Sequence, residues 1–119
     1  MFSLAGRVRS FGFALRGVGF VLRTQHNSWI HLAATVIVVA AGAAFQIAAE
    51  DWRWVVLAIA LVWVAEILNT AVEHVCNVVQ PEFHASVKTA KDVAAGAVLV
   101  AAIAAAIIGV LVFWPHLRF

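Results

Sequence analysis

Glu66-Ile67-Leu68-Asn69-Thr70-Ala71-Val72-Glu73 is the stretch on which the fold turns. It sets two carboxylates and an amide in a segment that otherwise reads as a membrane span. A charged side chain at membrane depth costs about 2.5–3.5 kcal/mol on insertion scales, so it needs a partner or a task. On a helix, Glu66, Asn69, Thr70 and Glu73 stand at i, i+3, i+4 and i+7, which is one face. Asn77 continues that face one turn later. The clean apolar run ahead of them, from Trp54 to Ala65, has 12 residues. That length rises only about 18 Å, against about 30 Å of hydrocarbon. The span must therefore continue through Glu66 and Asn69, which predicts a helix over 54–78 with Glu73 close to an interface. The axial rise sets Glu66 about 10 Å deeper than Glu73.

The rest of the chain has the composition of an integral membrane protein. Of its 119 residues, 65% are hydrophobic and 12% charged. Soluble domains carry about 45–50% and about 25% respectively, so the whole of 1–119 reads as a single membrane domain. The length accommodates about three spans. Three helices enclose little, so a homo-oligomer is expected if the protein builds a site or a pathway. A net charge of +2 with no nucleic-acid-binding pattern argues against nucleic acid as a partner. Cys76 is the single cysteine, which leaves no internal disulfide and no second thiol for zinc or redox chemistry. Arg7, Arg9 and Arg16 interrupt the apolar run that a cleavable signal peptide would need.

Residues 2–24 interleave Phe2, Leu4, Phe11, Phe13, Leu15, Val18, Phe20 and Leu22 with Arg7, Arg9, Arg16 and Arg23, without an acid. Arg9, Arg16 and Arg23 recur every seven residues, nearly on one face. This predicts an amphipathic helix lying on an anionic membrane surface as anchor and topology signal. The sharper reading has some of these arginines, Arg16 among them, contacting phosphate groups of substrate. Gln25-His26-Asn27-Ser28-Trp29 is a polar break, and a first span is expected over 30–49, with His31 as an interfacial histidine at its entrance. Glu50-Asp51-Trp52-Arg53 reads as a short turn, and Trp29, Trp52, Trp54 and Trp114 as an aromatic belt. Pro81 ends the second span and Ser86 is a candidate N-cap for the next helix. From Val93 to Trp114 there are 22 residues without a charge, and a third span is expected over 88–114. Its Gly96, Ala97, Ala101, Ala104, Ala105 and Gly109 would admit close helix neighbours.

Positive charge orients the spans. The arginine arm and the loop with Lys88 and Lys91 fall on one side, and residues 50–53 and Arg118 on the other. The positive-inside rule then places the N-terminus in the cytoplasm. Glu73, Asn77, Glu82, Lys88, Lys91 and Asp92 would gather at that surface, with Glu66 just beneath. Such a cluster suits three tasks. It suits a Mg²⁺ bound by carboxylates and substrate phosphates, a deep carboxylate acting as general base, or a proton relay. The bland alternative is that the two glutamates pair with Lys91 or an arginine and fix helix packing. On pattern alone, a membrane enzyme and a small proton-coupled transporter using Glu66 as proton carrier remain open. No Walker-type or kinase-type Gly-rich loop is present.

Two motifs go further. Glu66-Ile-Leu-Asn69-Thr-Ala-Val-Glu73 matches the pattern E-x-x-N-[ST]-A-[IV]-E, and Ala90-Lys91-Asp92-Val-Ala-Ala-Gly96 matches A-K-D followed by small residues. With Pro81-Glu82-Phe83-His84 between them, the chain resembles the small prokaryotic diacylglycerol kinase family over about residues 6–114. That family includes the undecaprenol kinases of Gram-positive bacteria. The resemblance implies a homotrimer in the bacterial cytoplasmic membrane, with active sites shared between subunits. It implies transfer of the ATP γ-phosphoryl group to a lipid alcohol, undecaprenol or diacylglycerol, at the cytoplasmic interface. By position, Glu66 would be the base that takes the lipid hydroxyl proton, and Glu73 would hold Mg²⁺ with the ATP phosphates. Asn69 would orient Glu66 or the lipid substrate, and Lys91 would meet phosphate oxygens. Asp92 would support Lys91 or the nucleotide, with Glu82, His84 and Asn77 nearby.

Two positions depart from the family pattern. A glutamate acting as second metal ligand is usual where Gln25 stands, and an aspartate is common at Asn77. Both changes replace an acid by an amide. Gln25 still offers a carbonyl oxygen, and weaker Mg²⁺ binding is the expectation.

Overall fold

The computed structural model describes residues 3–117. Phe2 and Arg118, which enter the sequence reading of the arm and of the topology, lie outside the described residues. Among the described residues the chain is all helical and has no strand. The helices are α1 (Leu4–Thr24), α2 (His26–Phe45), α3 (Ala49–Val79) and α4 (Ala85–Leu117). The last three are each long and apolar enough to cross a membrane, as the composition led us to expect. At 31 and 33 residues, α3 and α4 rise about 47 and 50 Å. Both exceed the hydrocarbon thickness, so their polar ends extend past it.

α2 runs four residues ahead of the expected span at each end, 26–45 against 30–49. Its end is set by backbone geometry. Gln46 adopts a left-handed conformation (φ 53°, ψ 51°). Its N–H donates to Ala43 O at 3.2 Å, and the Ile47 N–H donates to Gly42 O at 3.1 Å. This pair of bonds is a Schellman cap. Gln46 is thus a stop signal inside the stretch expected to span. Its start is set by Ser28, whose side chain is wholly buried. The Ser28 hydroxyl lies 2.6 Å from Gln25 O and 3.0 Å from Val21 O, closing the corner between α1 and α2. The polar break therefore shrinks to a single residue, Gln25.

Residues 50–53 do not form a turn. They are the first turn of α3, where Glu50 and Asp51 complement the positive end of the helix dipole. Trp52 also leaves the aromatic belt. Its ring lies so close to Gly42 that an added Cβ there would sit 2.6 Å from it. Trp52 packs with Ile47, Val55 and Val112 in the core at this end of the bundle. Trp29, Trp54 and Trp114 remain exposed, as a belt requires. The close approach expected at Gly96 and Gly109 does not occur within the chain, where a Cβ at either would meet open space. At the opposite end, His84 and not Ser86 caps α4: its Nδ1 accepts from the Ser86 N–H at 3.2 Å.

α3 packs chiefly on α4 and also on α2. The buried residues of α3 are Val55, Ala58, Glu66, Asn69 and Thr70, a single helical face that turns from apolar to polar along its length. Many large apolar side chains on the other faces of the spans, such as Ile37, Val56, Val100 and Leu111, point outward.

Candidate active site

The polar half of that α3 face is the candidate site. Glu66 is the most deeply buried of its residues, with 1% of its surface exposed. The Thr70 hydroxyl donates to Glu66 O at 2.9 Å, so it is used within the helix. One turn on, Asn69 Nδ2 donates weakly to Glu73 Oε1 at 3.5 Å, while Asn69 Oδ1 is buried without a hydrogen-bond partner. Glu73 is half-buried. The face thus carries a sealed carboxylate and a more accessible one, the latter met by the Asn69 amide.

Nearer the α3–α4 loop, Lys91 Nζ donates to Asn77 Oδ1 at 2.7 Å, tying α4 to α3. Asp92 pairs with Lys88 at 2.6 Å, not with Lys91, because the i and i+4 positions on α4 bring these two together. Glu82 and His84 are exposed in or beside the loop. Gln25 is half-buried in the α1–α2 corner and donates to Thr24 Oγ1 at 3.2 Å. No hydrogen bond joins Gln25 to Glu73 among the described residues. The exposed Arg16 sets its guanidinium 5.3 Å from the ring centroid of Phe13 on its own helix. Asn69 with Glu73 and Asn77 with Lys91 are thus the sequence-derived site residues that touch within one chain.

Sequence reasoning missed the residue that faces Glu66. His31, expected at the entrance of the first span, turns inward between helices. Its Nε2 lies 3.4 Å from Glu66 Oε2 across the α2–α3 contact, with little of its side chain exposed. Trp63 holds the imidazole edge-on, with ring centroids 6.0 Å apart. The Trp63 indole N–H donates to Thr35 Oγ1 at 3.0 Å, and Thr35 donates to His31 O at 2.7 Å. The signal was present in weak form. A buried carboxylate needs a partner, and His31 is the titratable residue within the apolar run of α2.

A divalent cation fits this chain only with help from a ligand. Among the described residues no three His, Cys, Asp or Glu side chains converge. Glu73 offers a hard oxygen donor at the accessible end of the face. Mg²⁺ is ordinarily held by one or two carboxylates together with substrate phosphates and water, so the donor set suits a metal–nucleotide and not a dedicated protein cage.

Comparison with known proteins places the chain. The profile of the family described as prokaryotic diacylglycerol kinase matches residues 12–113. An undecaprenol kinase of Bacillus subtilis is 38% identical over 109 residues, covering 92% of this chain and 89% of that protein. A diacylglycerol kinase of Synechocystis is 41% identical over 109 residues, covering 91% of this chain but 62% of that longer protein. A diacylglycerol kinase of Escherichia coli is 27% identical over 120 residues, covering 95% of this chain and 98% of that protein. Between the two readings left open by the residues alone, these relatives select the enzyme over the transporter. The chain belongs to the prokaryotic diacylglycerol kinase family and is a lipid kinase of the membrane.

Proposed function

We propose that this protein transfers the γ-phosphoryl group of ATP to the hydroxyl of a membrane lipid alcohol, undecaprenol or diacylglycerol, at the cytoplasmic face of the bacterial inner membrane. The observation that carries this reading is the contrast along one face of α3. Glu66 is sealed from solvent, and Glu73 is half-buried two turns away. A carboxylate removed from water is suited to accept a proton from a lipid hydroxyl at the interface. An accessible one is suited to Mg²⁺, which neutralises charge on the phosphates when bound.

The remaining residues take roles that follow from their placement. Asn69 orients the two carboxylates or the acceptor. Lys91, held by Asn77, offers its ammonium to phosphate oxygens. Asp92, Glu82 and His84 border the nucleotide, Gln25 supplies a carbonyl oxygen to the metal, and Arg16 meets substrate phosphate from α1. Phosphoryl transfer demands mainly positioning and charge neutralisation, so so small a site is chemically sufficient. We further propose that α1 lies on the membrane surface with its arginines toward anionic lipid. A homotrimer would then complete each site between subunits.

The test is transfer of labelled phosphate from ATP in detergent, with undecaprenol, diacylglycerol and short polyprenols as acceptors. One of the panel should be labelled, and Glu66→Gln should lower the rate by at least about 100-fold. Absence of transfer to every acceptor would defeat the proposal.

A further inference from the structure

The partner of Glu66 carries an inference beyond the kinase reading, and it rests on that reading for the role of Glu66. Glu66 Oε2 and His31 Nε2 are both buried, face each other at 3.4 Å, and have no other hydrogen-bond partner. A carboxylate in so dry a place is costly unless it is compensated. The imidazole comes from a different helix, α2. Trp63 flanks the ring, and Thr35 ties the His31 backbone to the Trp63 indole. No third His, Cys, Asp or Glu joins the pair among the described residues. A histidine clamped in this manner is built for one orientation. Hydrogen bonds of catalytic groups are commonly long before substrate binds and shorten in the reacting complex.

We propose that His31 is a positioning residue for the base Glu66. Its Nε2–H donates to Oε2, fixes the carboxylate rotamer and leaves the other oxygen free for the lipid hydroxyl. In the transfer step the lipid O–H proton passes to that other oxygen. The lipid oxygen bonds to the γ-phosphorus as the bond from phosphorus to the bridging oxygen of ADP breaks. His31 keeps its own proton throughout. Its contribution is orientation and charge compensation, so its loss is felt in turnover and not in binding of either substrate.

The experiment compares His31→Phe, which keeps a flat ring without the donor, with His31→Gln, which keeps an N–H at similar reach. His31→Phe should lower kcat about tenfold or more, with KM for ATP and for lipid little changed, and His31→Gln should restore most of the rate. In a Glu66→Gln background, His31→Phe should add little further loss. Equal loss in Phe and Gln variants, a change confined to KM, or a full multiplicative loss in the double variant would overturn the pairing. A readout independent of turnover uses the intact protein labelled with ¹⁵N-histidine. The His31 ring-nitrogen signals, assigned by their absence in His31→Gln, should shift in Glu66→Gln, and unmoved signals would also overturn it. Should Glu66→Gln itself prove fully active, the base assignment fails instead, whatever the histidine signals do.

Discussion

Glu66 and Glu73 show how one side-chain type acquires two environments. They share a helix face, yet seven residues of rise separate a sealed carboxylate from a half-buried one. The proposed metal end is the thinner part of the design. Where relatives of this type are expected to place an acid, the corner between α1 and α2 holds Gln25, whose amide rests on Thr24. Restoring the negative charge with Gln25→Glu should lower the Mg²⁺ concentration for half-maximal activity by about tenfold, equivalent to about 1.4 kcal/mol. A Mg²⁺ titration of the phosphoryl-transfer rate checks this, and an unchanged midpoint removes Gln25 from the metal site.

At the scale of elements, the α2–α3 junction has two features with opposite consequences for stability. Gly42 lies under the Trp52 ring, with a would-be Cβ 2.6 Å from it. Gly42→Ala should destabilise the protein by about 1–3 kcal/mol, the usual cost of overpacking. Thermal unfolding in detergent should show a lower midpoint, and the deficit should shrink in a Trp52→Leu background that vacates the space. Gln46 holds a left-handed conformation that disfavours any residue with a Cβ. Gln46→Gly should raise stability by about 1 kcal/mol, read as a higher unfolding midpoint with activity intact.

On the scale of the molecule, the single chain leaves much apolar surface outward. Leu68 and Val75, on the same helix as the site, are well exposed. Lipid covers part of such a surface, and the proposed trimer covers another part. The protein solubilised in mild detergent should therefore have a protein mass of three chains of 12.8 kDa by light scattering corrected for bound detergent. A single-chain mass in an active preparation would contradict the shared-site arrangement.

The sequence by itself determined the class, the spans and the polar face of α3. Helical periodicity and the hydrocarbon thickness are local constraints, and the run from Trp54 to Ala65 is too short to satisfy them without Glu66. The Glu66 and Lys91 motifs were legible for the same reason, since spacing along one chain can be read directly. What only the tertiary structure decided lies between helices. His31 faces Glu66, Trp52 packs on Gly42, and Asn77 receives Lys91. Each inter-helix pairing depends on the rotation and register of two packed helices, which no single helix encodes. The ends of α2 were set by a left-handed Gln46 and a buried Ser28, whose effect depends on the backbone beside them. The partner of the buried carboxylate was thus in the sequence all along, but only packing brought it within reach.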